Sequence, residues 1–217
     1  KHTMLIVQGT LVVLQEEIKR NCTPPEHRST HNKMQLLKLA TLRLGDHFDY
    51  LLILDADAMI YDFSVDVSDL MPPRAMVAAN RVIAKKGVKK RATWKINAGV
   101  TLWNLHHPYT KDVVDGWTKA AVGFMNGRNN NQGDQLFLYH VLKGNASVEA
   151  NVYSLGKEFN YNKATVIKHV KRPELTYEIG HTALDSRSEM IHKFTEEICQ
   201  KFPEDCQNLD KTIYSQK

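Results

Sequence analysis

The stretch Leu51-Leu52-Ile53-Leu54-Asp55-Ala56-Asp57 decides how the rest of the chain is read. Four apolar residues, preceded by Asp49-Tyr50, run directly into two carboxylates. A run of this length without polar alternation is expected of a strand buried on both faces of a parallel sheet. The acids then fall at its C-terminal end, the edge at which open α/β sheets bind their ligands. Residues two apart on an extended segment point to the same side, so Asp55 and Asp57 are expected to share one spot. Unaided, two acids there would repel and raise each other's pKa. The pair therefore implies either a divalent cation between them or a partnership of nucleophile and acid.

Upstream of this strand, Met4 to Val13 reads as a core strand, followed by a polar loop from Asn21 to Asn32 that carries Pro24 and Pro25. The apolar positions between Lys33 and Leu44 fit a helix packed on a sheet, ended by Gly45-Asp46. Downstream, strands are expected over Ala75 to Ala79, Lys95 to Leu105 and Val166 to Val170. Helices are expected over Asp112 to Met125, Asp134 to Leu142 and Ser186 to Phe202. The polar linker Gly127 to Gly133 has the composition of a ligand-facing loop.

At 217 residues and 42% hydrophobic composition, the chain can build one sizeable α/β core and is too short for two comfortable domains, so one domain spanning 1–217 is expected. The net charge of +5 raises the question of nucleic acid. The charges are interleaved, however, and the dense basic run Lys85-Lys86-Gly87-Val88-Lys89-Lys90-Arg91 equally suits a phosphorylated small molecule, an acidic surface or a solvated loop. No nucleic-acid partner is expected. No stretch reaches the roughly 20 apolar residues of a membrane span. Because the chain opens at Lys1, an anchor or leader is expected to lie upstream of it. Three cysteines are too few for a disulfide scaffold, although Cys199 and Cys206 are placed to bridge the end of the last helix to the loop after it. The sequons Asn21-Cys22-Thr23 and Asn145-Ala146-Ser147 favour a secretory lumen, the Golgi included, over the cytoplasm.

An Asp-x-Asp after a strand serves two chemistries. In one, the carboxylates hold a divalent metal that bridges the phosphates of a nucleotide-sugar and acts as a Lewis acid on the departing diphosphate. In the other, Asp55 is a phosphoryl-accepting nucleophile and Asp57 the acid, as in haloacid-dehalogenase-type phosphatases. That chemistry usually wants Thr or Val where this chain has Met59, and a late acidic pair for magnesium. Three further segments favour the nucleotide-sugar. Lys95 to Asn104 brings Asn97, Ala98 and Gly99 ahead of apolar residues, which permits a sugar close to the backbone or, alternatively, a bulge in the sheet. Asn131-Gln132-Gly133-Asp134-Gln135 sets amides and a carboxylate at a helix start, fit to grip sugar hydroxyls or to cap the helix. Ile167-Lys168-His169-Val170-Lys171-Arg172-Pro173 supplies an imidazole able to ligate manganese, beside cations able to neutralise phosphate.

The order of these motifs, with Lys33 ahead of its helix and Phe159-Asn160-Tyr161-Asn162 before the histidine, resembles the glycogenin and galactinol-synthase-like glycosyltransferases, family 8 in character, from about Lys33 to Pro173. The resemblance implies a GT-A, Rossmann-like nucleotide-diphospho-sugar transferase fold with a central, mostly parallel sheet flanked by helices. It also implies a UDP-sugar or similar donor, a carbohydrate, glycoconjugate or protein acceptor, Mn2+ or Mg2+, and transfer with retention. By position, Asp55, Asp57 and His169 would hold the metal. Lys33 would lie near the donor phosphates or sugar, Asn97, Ala98 and Gly99 near the donor sugar with Ala56 beside the metal, and Asp134 with Gln135 at the reaction centre. The chain departs from the family after the histidine, where an aromatic residue, a glycine and a Lys-Pro-Trp ending give way to Val170-Lys171-Arg172-Pro173. Lys171 and Arg172 are therefore candidate phosphate ligands, and His181 competes with His169 for the metal. The family's first nucleotide-binding strand is also not recognisable before Lys33. Either Met4 to Val13 replaces it or part of the base pocket lies outside this sequence. Related galactosyl- and xylosyltransferases that share the Asp-x-Asp strand, and a sugar-binding module without turnover, remain as alternatives.

Overall fold

The apolar run forms a strand because nothing in it needs water, and the elements around it obey the same rule. In the computed structural model, the described residues are 4–8, 28–82, 95–125, 134–170 and 182–206. Their order is β1 (Met4–Gln8), α1 (Arg28–Arg43), β2 (Tyr50–Leu54), β3 (Ala58–Ile60), a 3-10 turn (Val67–Leu70), β4 (Val77–Val82) and β5 (Lys95–Asn104). Then come α2 (Thr110–Met125), α3 (Asp134–Lys143), α4 (Ala146–Ala150), β6 (Val152–Ser154), β7 (Phe159–Tyr161), β8 (Ile167–His169), α5 (Thr182–Lys201) and α6 (Pro203–Cys206). The chain divides into two compact units, Lys1–Ala56 with Asp66–Gly156, and Asp57–Val65 with Lys157–Lys217.

The first unit is built on a five-stranded sheet in the order β1-β2-β5-β4-β6. β2 pairs with β1 in parallel and with β5 antiparallel, and β4 pairs with β5 antiparallel and with β6 in parallel. Four strands thus share one direction and β5 opposes them, which is the mostly parallel sheet expected. β2 is buried along its whole length. Its neighbour β5 nonetheless runs against it, which corrects the expectation of parallel surroundings, because burial of both faces makes a strand apolar whichever way its neighbour runs. The pairing of β4 with β5 shifts register between Ala79 and Arg81, so Asn80 is the extra residue of a bulge. Its amide Nδ2 donates to the carbonyls of Leu155 and Gly156 at 3.2 and 3.0 Å and ties the bulge to the chain after β6.

Helices α1, α2 and α3 pack on one another, with α1 against β2 and α3 against β5. The face of α1 that turns inward carries Met34, Leu37 and Ala40, spaced three apart, with Lys33 buried beside them. Trp103 of β5 stacks on Trp117 of α2 with ring centres 6.1 Å apart, and both are fully buried. Sealing two indoles in this way removes a large apolar area from water, at about 25 cal/mol per Å².

The second unit has a three-stranded sheet, β3-β8-β7, in which β8 runs antiparallel to β3 and parallel to β7. Tyr61 meets Phe194 of α5 edge-to-face, and Phe63 meets Phe202 in the same way. A disulfide joins Cys199 near the end of α5 to Cys206 at the end of α6, the pairing expected from the cysteine positions. No described helix is long and apolar enough to cross a membrane.

Candidate active site

The strand that carries the acids stops at Leu54, and Ala56 and Asp57 form a turn. The expectation that both carboxylates share a side rested on an extended backbone, and here the backbone is not extended. The peptide N–H of Asp55 donates to the Gly99 carbonyl at 2.8 Å, fastening the tip of β2 to β5. The chain passes from the first unit to the second between Ala56, which is exposed, and Asp57. Each carboxylate consequently has its own partners.

In the first unit, Lys33 is the centre. Its ammonium donates to Asp55 Oδ1 at 2.9 Å and to the Ala98 carbonyl at 3.2 Å, and it pairs with the carboxylate of Asp134. Lys33 and Asp134 keep about a tenth of their side-chain surface, whereas Asp55 keeps 34%, so water reaches this cluster through Asp55. Burial alone would pull the Lys33 pKa down. The charges of Asp134 and Asp55, and their hydrogen bonds, outweigh burial and leave it raised, so the ammonium is locked in its charged form. Asp134 opens α3, whose start is fixed by Trp117 Nε1 donating to the Asp134 carbonyl at 2.8 Å. Gln135 comes next, half-buried. In β5 the Asn97 side chain accepts from the Gly99 N–H at 2.8 Å, which turns its carbonyl group onto its own backbone. Ala98 is buried and offers its carbonyl to Lys33. The first unit thus brings together Lys33, Asp55, Asp134 and the Asn97-Ala98-Gly99 segment.

In the second unit, β3 and β8 set Ala58 opposite His169, and the Val170 N–H donates to the Asp57 carbonyl at 2.8 Å. That clamp holds Asp57 Oδ1 and His169 Nε2 3.1 Å apart, both largely buried. The other ring nitrogen, Nδ1, lies 2.5 Å from Asn160 Oδ1. A carboxylate oxygen and an imidazole nitrogen are the donor types that manganese accepts, so Asp57 and His169 fit one corner of a cation site.

Lys171, Arg172 and His181 lie outside the described residues. Asn160 and Asn80 carried no role in the sequence reading. The signal for Asn160 was present, since asparagine is the residue that best tolerates a left-handed backbone inside a strand run, yet Phe159-Asn160-Tyr161-Asn162 entered only as a motif. Asn80 had no signal, because a bulge is a property of pairing and not of one strand.

No known family profile matches the sequence, and no curated protein does. Among solved structures, the chain is similar to a glycosyltransferase involved in the glycosylation of the major capsid of PBCV-1, with a TM-score of 0.53, 12% identity, and coverage of 89% of this chain and 99% of that one. The fold is that of a GT-A glycosyltransferase. A galactosyltransferase, LgtC, solved with donor and acceptor sugar analogues, aligns over 82% of this chain and 70% of its own at 18% identity and a TM-score of 0.46. In a GT-A frame, the Lys33 cluster and the Asp57–His169 pair both stem from the end of β2 and the turn after it.

Proposed function

We propose that the chain is one glycosyltransferase domain that moves a sugar from a nucleotide-sugar, a UDP-sugar with Mn2+, to a carbohydrate, glycoconjugate or protein acceptor, with retention of configuration. The observation that carries this reading is the Asp57–His169 pair, two metal-type donors 3.1 Å apart and shielded from water, set immediately after the central strand of a GT-A fold. Asp55, two residues earlier, supplies a third donor, so Asp55, Asp57 and His169 are the proposed ligand set. A cation held there would offset the charge that grows on the diphosphate as the anomeric bond breaks.

The chain's own side chains take the remaining tasks. Lys33 keeps Asp134 ionised, so that Asp134 accepts from donor-sugar hydroxyls, and Gln135 adds an amide beside it. Asn97, Ala98 and Gly99 form the strip of backbone against which the sugar lies. Lys171 and Arg172 would meet the phosphates. The order of the motifs, which resembles the glycogenin and galactinol-synthase-like enzymes, supports the UDP-sugar and retention. The Cys199–Cys206 disulfide and the exposed sequon residue Asn145 support an oxidising, secretory compartment.

The haloacid-dehalogenase alternative is disfavoured by the GT-A fold and by the Lys33 ammonium, which occupies the Asp55 carboxylate that would have to attack phosphorus. A panel of nucleotide-sugars incubated with the protein and Mn2+ tests the proposal. Release of the nucleoside diphosphate that requires the metal is expected. Phosphate release from a generic phosphomonoester with Mg2+, or binding of UDP and Mn2+ with no turnover on any donor, overturns it in favour of a phosphatase or a binding module.

A further inference from the structure

We propose that Asn160 is a positioning residue that fixes His169 as the tautomer protonated on Nδ1, so that the lone pair on Nε2 faces the Asp57 carboxylate and is free to ligate a cation. The inference rests on the metal reading given above and adds what decides it. An imidazole 3.1 Å from a carboxylate is a plain hydrogen bond if Nε2 carries the proton, and a two-donor corner for a cation if it does not.

Three observations on Asn160 point to the second state. Its Oδ1 lies 2.5 Å from His169 Nδ1, too close for an N–H···N hydrogen bond, which identifies the contact as the ring N–H donating to the amide oxygen. Its backbone has φ of 63°, a left-handed conformation, and Asn160 is the only non-glycine with positive φ among the described residues. The pairing of β7 with β8 also skips it, Phe159 facing Ile167 and Tyr161 facing Lys168, so Asn160 sits in a bulge that re-aims its side chain.

The cost of this arrangement is visible in the fold. Asn160 is fully buried, and its Nδ2 has no hydrogen-bond partner among the described residues. A buried amide donor without a partner and a left-handed asparagine both work against stability. Glycine would relieve the backbone, and leucine would remove the orphaned donor. Only a side chain with an oxygen at this point accepts from Nδ1, the second-sphere contact that metal-ligating histidines commonly make.

The test begins with the intact, metal-free protein labelled with 15N-histidine. Long-range 1H–15N correlations report which ring nitrogen carries the proton, and loss of one pattern in His169→Gln picks out the relevant ring among the ten histidines. A protonated Nδ1 and a bare Nε2 are expected, and the reverse pattern overturns the proposal without any variant at Asn160. Titration calorimetry with Mn2+ then compares Asn160→Leu, Asn160→Gly and Asn160→Asp. Loss of affinity of about 10- to 100-fold is expected for Leu and Gly, with recovery in Asp, which restores an acceptor. If Asn160 serves only the fold, Gly keeps or gains melting temperature with Mn2+ affinity unchanged, and the proposal fails. If the wild type has the expected tautomer yet binds no Mn2+, the metal reading fails while the role of Asn160 in setting the ring stands.

Discussion

Lys33 Nζ lies 2.9 Å from Asp55 Oδ1, so the first acid of the motif is neutralised from within its own unit by a lysine 22 residues earlier. The same ammonium pairs with Asp134, which makes one buried cation the hinge of two carboxylates.

Removing that cation leaves Asp134 buried and unpaired. Lys33→Met is expected to lower the unfolding free energy by about 3 to 5 kcal/mol, the usual cost of breaking a buried pair from one side. Urea unfolding measures it, and Lys33→Met combined with Asp134→Leu should recover most of the loss, since no charge is then left without a partner. A double variant no more stable than the single one would show that the two residues do not interact. The sign with pH comes from the raised pKa of Lys33. Its contribution is complete below the unfolded value of 10.5 and is lost as pH climbs through the higher folded value. The wild type should therefore lose more stability than Lys33→Met as pH rises beyond about 10.5.

Asp62 gives the opposite slope at the acid end. Its carboxylate accepts from Lys201 at 2.7 Å and from the hydroxyl and N–H of Ser64, and these bonds, Lys201 foremost, hold its pKa down at about 2 from the ordinary 3.8. A depressed folded pKa contributes stability that is present above 3.8 and drains away as pH falls toward 2. Urea midpoints measured across that window should fall less steeply in Lys201→Met than in the wild type. Equal slopes would mean that the pair does not form in solution.

Lys168 joins β8 to α5 through a cage. Its ammonium stands 3.7 Å from the ring centre of Tyr61 and 4.1 Å from that of Phe194, with Glu197 at 3.6 Å, and its side chain is 11% exposed. Two partly desolvated cation–π contacts of about 0.5 to 2 kcal/mol each predict that Lys168→Met costs about 1 to 3 kcal/mol. Lys168→Arg should keep much of that, because guanidinium also lies over aromatic faces. Thermal unfolding of both variants provides the comparison.

How far the sequence spoke depended on the range of each interaction. β2, α1, α2, α3 and α5 were legible because each is long enough for burial to impose a period or an unbroken apolar run, as in Leu51 to Leu54. β3, β6 and β7 have three residues each, too few for a period, and exist because neighbours pair with them. The residues Asp55, Asp57 and His169 were legible as chemical types in order. Their partners were not, since Lys33 reaches Asp134 across about a hundred positions and Asn160 reaches His169 through a bulge, and such contacts are set by tertiary register. The spacing of the two acids misled for a local reason, because period two holds only while the backbone stays extended, and it turns at Ala56.

Asp57 is the residue on which activity should turn. It accepts the Val170 N–H through its main-chain carbonyl, a bond that survives any change of side chain, so Asp57→Ala should fold as the wild type does. The carboxylate itself faces His169 Nε2, and deleting it removes one donor of the proposed ion site together with its charge. Loss of a metal-held stabilisation of several kcal/mol corresponds to a fall in Mn2+-dependent donor hydrolysis of at least about a hundredfold. Asp57→Asn keeps the shape and one oxygen, and should fall between the two. Melting temperature, Mn2+ affinity and hydrolysis measured on the same samples separate the outcomes. An Ala variant that is folded, binds Mn2+ as the wild type does and hydrolyses its donor at the same rate would remove Asp57 from the site and leave the pair with His169 a structural one.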